Sequence, residues 1–502
     1  MRSLLRGILL LALTATPSWA ETLRVASADW PPGLGNPFAS IAQASSHTRA
    51  AIFDPLTRFT PEGKLEPALA LSWEPIDTTT WRFHLRPNVQ FSNGEPFNAL
   101  AVKAVFDYLR SPAGAHELIA EEARDIREIR IVDELAVDIR TQRSDAILPK
   151  RLSLIMMVPP KAWAAETPEE FGRHPIGTGS YLMKDWGQKT GRTIIVANPT
   201  SWRKPIKFDR IELTPLKDPT TRIQALLSGQ VDVTQGLSHE DLGDLQEQGY
   251  RVAVEADAQV LALALRNVGN DGSPLQDVRV RQALNYAINK DAIVQGILND
   301  TVQAVGQGAI AGVVGYNPDV APYPYDPAKA KALLAEAGYP NGLKLKARVQ
   351  VQAVVSAADV FSAVASDLRA VGVDLEMRQI FGQEWVRMYM SGDWDGADII
   401  SVSWNAAAFN DVARAIETFS CNKTGSFFCA PEITPLAEAS DAQLDPEKRD
   451  KQLQQIMALY HDLAPSIYLV NLATIMASSP RIGPLVFTRT GLMFDKMTTA
   501  KP

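Results

Sequence analysis

Hydrophobic and polar positions along this chain follow two periods. Period two marks strands. Leu23 and Val25 alternate with polar neighbours in Thr22–Ser27, and Trp81, Phe83 and Leu85 share one face. Ile129/Ile131 and Val137/Ile139 fit two strands that turn at Asp133-Glu134. Period 3.6 marks helices. Asn98 caps one that runs through Leu109, with Val102, Val105, Phe106 and Leu109 inward. Asp277 to Leu298 reads as one long helix with Val280, Ala283, Leu284 and Ala287 on one face. Asp326 to Gly338 has an Asp cap, Pro at the first helical position and Gly past the end. Further helices are expected over Pro219–Leu227, Ala357–Val371 and Pro446–Leu463. Further strands are expected over Ile194–Ala197, Lys207–Leu213, Val231–Val233, Leu343–Val351, Val373–Arg378 and Ile467–Asn471. Strand and helix alternate, which predicts α/β layers.

The stretch IISVSWNAAAFND, Ile399 to Asp411, stands out. Ile400, Val402 and Trp404 share a strand face, with Ser401 and Ser403 opposite. Asn405 and three alanines follow, and a helix with Val412, Ile416 and Phe419 inward restarts after Asn410 or Asp411. A strand ending in Trp, a small-residue loop and a helix start can form one wall of a ligand pocket; a core strand with a buried Trp fits the same residues.

At 502 residues the chain exceeds one compact core and should divide into two or three domains. The N-terminus reads as a cleaved secretory leader: Arg2 and Arg6, an apolar run Ile8–Leu13, and Ser18-Trp19-Ala20 before the cleavage point. Losing Arg2 and Arg6 would take the formal charge from −7 to −9. That balance argues against nucleic acid or an anionic membrane as main partner. The only cysteines, Cys421 and Cys429, read in an exported chain as a disulfide closing a short loop; two free buried thiols are the alternative.

No GxSxG elbow, HExxH, Walker A or strand-flanked GxGxxG occurs. The six histidines are scattered, and no carboxylate pair stands out as an acid–base couple. A resident metal or cofactor is not expected, and binding is favoured over catalysis.

Several segments, in order, resemble the extracytoplasmic solute-binding proteins of ABC transporters, peptide/nickel type (family 5). They are AIFDPLTRFTPEGKLEPALALSWEPIDTTTWRFHLRPNVQFSNGEPFNALAV, PIGTGSY, RIQALLSGQVDV, LQDVRVRQALNYAINKDAIV and YNPDVAPYPYDPAKAKALLAEAGYPNG. The resemblance implies a type II periplasmic binding protein fold: two hinged lobes plus an inserted α+β domain. Lobe I would comprise 21–48, 174–267 and 472–502, the extra domain 49–173, and lobe II 268–471. A periplasmic monomer handing a solute to membrane permease subunits is implied. A sensory or chaperone role on the same fold, and an exported hydrolase, are the alternatives.

The resemblance also implies ligand contacts. Trp404, Asn405, Phe409 and Asn410 would line one side of the cleft, and Trp30, Asn36 and Phe38 the other. Peptide-binding members place an Asp shortly after the Trp to hold the peptide α-amine; here that position is Ala407. A buried ammonium needs a charge partner, and Asp411 is the candidate replacement. The Cys421–Cys429 loop would stiffen this segment.

Overall fold

The computed structural model describes residues 21–28, 30, 33–39, 43–269, 272–351, 355–423, 425–488 and 491–501. The expected leader, residues 1–20, lies outside the described residues. The strands used below are β1 (Thr22–Ser27), β2 (Thr57–Phe59), β3 (Leu65–Pro67), β4 (Ala70–Asp77), β5 (Thr80–Leu85), β6 (Ile126–Asp133), β7 (Ala136–Thr141), β8 (Tyr181–Asp185), β9 (Thr193–Ala197), β10 (Arg210–Pro215), β11 (Val233–Gln235), β12 (Arg251–Leu265), β13 (Leu343–Val349), β14 (Val373–Gln379), β15 (Ile399–Asn405) and β16 (Ser466–Ser478).

Ten of them form one sheet, in the order β14-β13-β15-β12-β16-β11-β1-β10-β9-β8. Two long antiparallel strands hold it together. β12 has 15 residues and β16 has 13, and they pair along nearly their whole length. On one flank β11 pairs β16 near Met476–Ser478; on the other β15 pairs β12 from Gln259 to Leu265. The β12–β16 register slips between Ala256 and Val260, where the two flanks meet. A bulge there bends and twists the ribbon locally. From Gln259 onward β12 is paired with β15 of the second flank, ahead of the lobe boundary expected at 267/268.

Both faces of each flank are covered. Leu23 and Val25 face one core and Ala26 another, as period two requires. In the second flank Ile399 enters a core beneath the helix Ala357–Ala370, while Ile400 and Trp404 enter one beneath Pro446–Leu463. A separate sheet, β4-β5-β7-β6, backs onto the helix Ala99–Leu109 and forms the inserted unit. Its Phe83, Val102, Phe106 and Ile139 are fully buried.

The single long helix expected over Asp277–Leu298 is two: Val278–Tyr286 and Lys290–Gly296. Asn289 starts the second, its side chain accepting the Ala292 N–H at 3.1 Å. The PIGTGSY glycines have a packing reason. A Cβ on Gly177 would lie 2.0 Å from the Ile52 carbonyl oxygen, and one on Gly179 2.3 Å from that of Ala51. Among the described residues no helix is long and apolar enough to cross a membrane.

Candidate ligand cleft

In open α/β sheets ligands sit beyond the carboxyl ends of parallel strands. Here β1, β10 and β11 run parallel in one flank, and β13, β14 and β15 in the other. Their antiparallel pairing to the crossing strands aims both sets of carboxyl ends at the bulged middle of β12 and β16: Gln235 lies opposite Met476, and Asn405 opposite Gln259. That convergence defines the candidate cleft.

The polar groups hydrogen-bonded at the two strand ends are amides, a hydroxyl and an imidazole. Ser403 donates to Gln259 Oε1 at 3.1 Å, and Asn405 Oδ1 accepts the Ala407 N–H at 3.0 Å, an Asx turn ending the strand. Gln235 meets His47 on the opposite side. His47 Nδ1 accepts the Leu492 N–H at 3.0 Å, so the proton of the neutral ring sits on Nε2, which faces the Gln235 amide group. Burial pushes the imidazole down to about 4, against the Gln235 hydrogen bond, so it is neutral at ordinary pH.

The residues expected to touch ligand are distributed differently. Trp404 is fully buried. Its ring stacks on Phe419 at 3.9 Å, meets Tyr460 edge-on at 5.2 Å, and donates to Ser466 Oγ at 3.0 Å. It is a core residue behind the cleft wall. Phe38 is likewise fully buried, packed between Tyr108 and Trp163 of the inserted unit. Asn36 supports it: its Oδ1 accepts the Phe38 N–H, and its Nδ2 donates to Glu117. Trp30 is half-buried. Asn405 alone among the β15-side residues combines partial exposure with a place at the strand end.

Phe409, Asn410 and Asp411 come together, but at a contact between the second flank and the inserted unit. Phe409 lies under the Arg151 and Arg414 guanidiniums. Asn410 donates to the Gly63 carbonyl in the β2–β3 turn at 3.0 Å. Asp411 accepts from Lys150 at 2.7 Å and from Arg449 at 2.6 and 3.1 Å, and caps the Ala413 N–H at 3.0 Å. Burial raises the Asp411 carboxyl, but Arg449 and Lys150 outweigh it and hold the group at about 2. Both carboxylate oxygens are therefore engaged within the protein. Ala406 and Ala407 leave the strand-end loop without charge.

The sequence did not single out a cavity of about 90 Å³ between the end of the helix Gln43–Ile52, the segment Ser153–Met156, Thr488 and the residues Gly491 to Asp495. Phe53, Met156, Leu492 and Met493 give it apolar walls, and Asp54, Arg58, Arg203 and Asp495 a charged rim. Arg203 bridges Asp54 and Asp495 at 2.7 Å each. Asp54 also accepts from Trp202 at 2.9 Å and from Thr178 of PIGTGSY at 2.8 Å. The motif thus builds the floor beneath this cavity. A signal was available: the conspicuous motif had no other evident task.

Cys421 and Cys429 are disulfide-bonded. Asn267 clamps the loop through both backbone groups of Cys429, at 2.8 and 2.9 Å. Among the described residues no group of three or more His, Cys, Asp or Glu side chains is placed to hold a metal ion.

Comparison with known proteins fits this architecture. Residues 64–426 match the family described as bacterial extracellular solute-binding proteins, family 5 Middle. The chain is 26% identical to the nickel-binding periplasmic protein of Escherichia coli K12, covering 94% of each. It is 27% identical to the dipeptide-binding protein of the same organism, covering 93% of this chain and 92% of that one. The crystal structure of NikA from Brucella suis in complex with Fe(III)-EDTA superposes with a TM-score of 0.81 at 24% identity, covering 95% of this chain and all of that one. The family match spans most of the chain, and the fold agrees over nearly all of it. The chain is a bacterial extracellular solute-binding protein of family 5.

Proposed function

We propose that this protein captures a small, polar, uncharged-amine organic solute between its two flanks outside the cytoplasm and delivers it in the closed form to the permease of an ABC importer. The observation that carries the reading is the convergence of both sets of strand ends on one bulged two-strand crossing. Such a crossing is a hinge, and closure about it buries whatever lies between the strand ends. Matching relatives are named for nickel, dipeptides, glutathione and haem, so family membership leaves the solute open.

The chemistry at the strand ends narrows it. Gln259, Ser403 and Asn405 offer amide and hydroxyl groups, Ala406–Ala408 offer none, and Asp411 is engaged by two cations. A buried free ammonium would lack its counter-charge on this wall. Amides, hydroxylated compounds and N-blocked peptides fit it better. The test compares thermal unfolding with a dipeptide and with its N-acetyl amide. The reading expects stabilisation by the blocked compound; at one hundred times its Kd a ligand adds about 2.7 kcal/mol. Micromolar binding of the free dipeptide with no binding of the blocked form would overturn it.

A further inference from the structure

The contact between the inserted unit and the second flank is built from charge. Lys150 reaches Asp411 across it at 2.7 Å, and Arg151–Glu417 and Arg414–Glu122 are further ion pairs between the two bodies. Within each body Arg151 also holds Asp145 at 2.9 Å, and Arg449 holds Asp411. The Ala146 N–H donates to the Asp441 carbonyl, again across the contact, at 2.8 Å. Glu122, Asp145, Asp411, Arg151 and Arg449 are buried or nearly so. Among the described residues the contact gathers five carboxylates (Glu122, Asp145, Asp411, Glu417, Asp441) against four cations (Lys150, Arg151, Arg414, Arg449).

The surplus falls on Asp441. It is the last residue of the helix Thr434–Asp441, where the helix dipole disfavours negative charge. Glu417 and Asp145 face it with like charge; Arg151 and Arg449 face it but serve other carboxylates. Arg143, which also faces it, is paired with Asp125.

We propose that this contact is a proton-linked clasp: closing the flanks assembles the five-carboxylate, four-cation set and takes up one proton, held on Asp441. The inference rests on the hinge reading above and adds a regulation to it. Burial, then the Glu417 and Asp145 charges, push the Asp441 carboxyl up to about 7 in the closed arrangement. When the bodies part, the group returns to water and to the ordinary carboxylate range. The closed form therefore holds a proton that the open form releases, and closure strengthens as pH falls through 7.

Solute-free mature chain carrying fluorophores at D107C and K331C, both exposed and on opposite bodies, reads the closed-to-open ratio by energy transfer. Linkage predicts a rise of about threefold from pH 7.5 to 6.5. His239, buried against Thr301 at another contact between the flanks, is held down by burial and opposes the effect as pH nears its ordinary value, so the rise is read in an H239Q background. D441N, which keeps the group neutral in both forms, should lose the rise with falling pH and be more closed at pH 7.5 than the parent is at 6.5. E417Q, which removes a different member of the surplus, should move the response to lower pH. An unresponsive parent, or an unchanged slope in D441N, overturns the clasp. Solute binding is read separately by mass spectrometry, so an inert clasp and an empty cleft are different results.

Discussion

Asp411 is the most informative single side chain to perturb, because two readings of it give opposite results. If it anchored a ligand amine, Asp411→Asn would weaken binding and spare stability. The structure assigns it to Lys150 and Arg449 instead. Its carboxyl lies at about 2 rather than 3.8. A depressed carboxylate stabilises the fold fully above its unfolded value and loses that contribution as pH falls through the folded value. That difference corresponds to about 2 kcal/mol, present above pH ~4 and largely gone near pH 2. Arg449 is deeply buried and would be left unpaired in the variant, whereas Lys150 retains some access to water. Asp411→Ala should then cost about 3–5 kcal/mol, in the range for breaking a buried pair, and Asp411→Asn somewhat less. Denaturant unfolding followed by tryptophan fluorescence at pH 7 and pH 2.5 gives the comparison. The gap between parent and Asn variant should shrink by more than half of that amount at the acid pH. A gap that stays constant across that range, or a variant with parental stability and lost solute affinity, would refute the assignment.

Trp404→Ala should destabilise by about 3–5 kcal/mol through the cavity left against Phe419 and Tyr460, while Trp404→Phe keeps solute affinity within about threefold; thermal unfolding and calorimetry separate the two effects. His47 is neutral in the fold with its imidazole near 4, so the unfolded chain protonates first as pH drops below 6.5. Stability should fall by about 3 kcal/mol between pH 7 and 4, and His47→Gln should lose correspondingly less over that interval in acid-unfolding titrations. Reducing Cys421–Cys429, whose partners are 8 positions apart, should lower stability by about 2.5 kcal/mol on loop-closure grounds; unfolding with and without reductant measures it.

What the chain disclosed about itself varied with range. Locally encoded elements were legible: Asn98, Asp218, Asp326 and Asp445 each accept a first-turn N–H at a helix start. Asn289 was readable as a cap too, but it lies inside a continuous apolar period and was absorbed into one helix. The crossing strand β12 was missed. Val252 and Val254 alternate, as do Leu261, Leu263 and Leu265, but the bulge at 256–260 shifts the phase between them. The second half is also buried on both faces, so it reads as a nearly continuous apolar run. The face carrying Ile400 and Trp404 was correct, but sequence spacing does not say which layer covers a strand face. Asp411 shows the limit most clearly: Lys150, which engages it, lies 261 residues earlier in the chain.

The central claim is capture of a small solute by closure about the β12–β16 crossing. The direct measurement is small-angle X-ray scattering of protein stripped by unfolding and refolding, titrated with the small-molecule fraction released from its own native preparation. The account predicts contraction that saturates at one solute per chain, with one species of that fraction retained in the intact-complex mass spectrum. Scattering that stays unchanged while that species binds would contradict it.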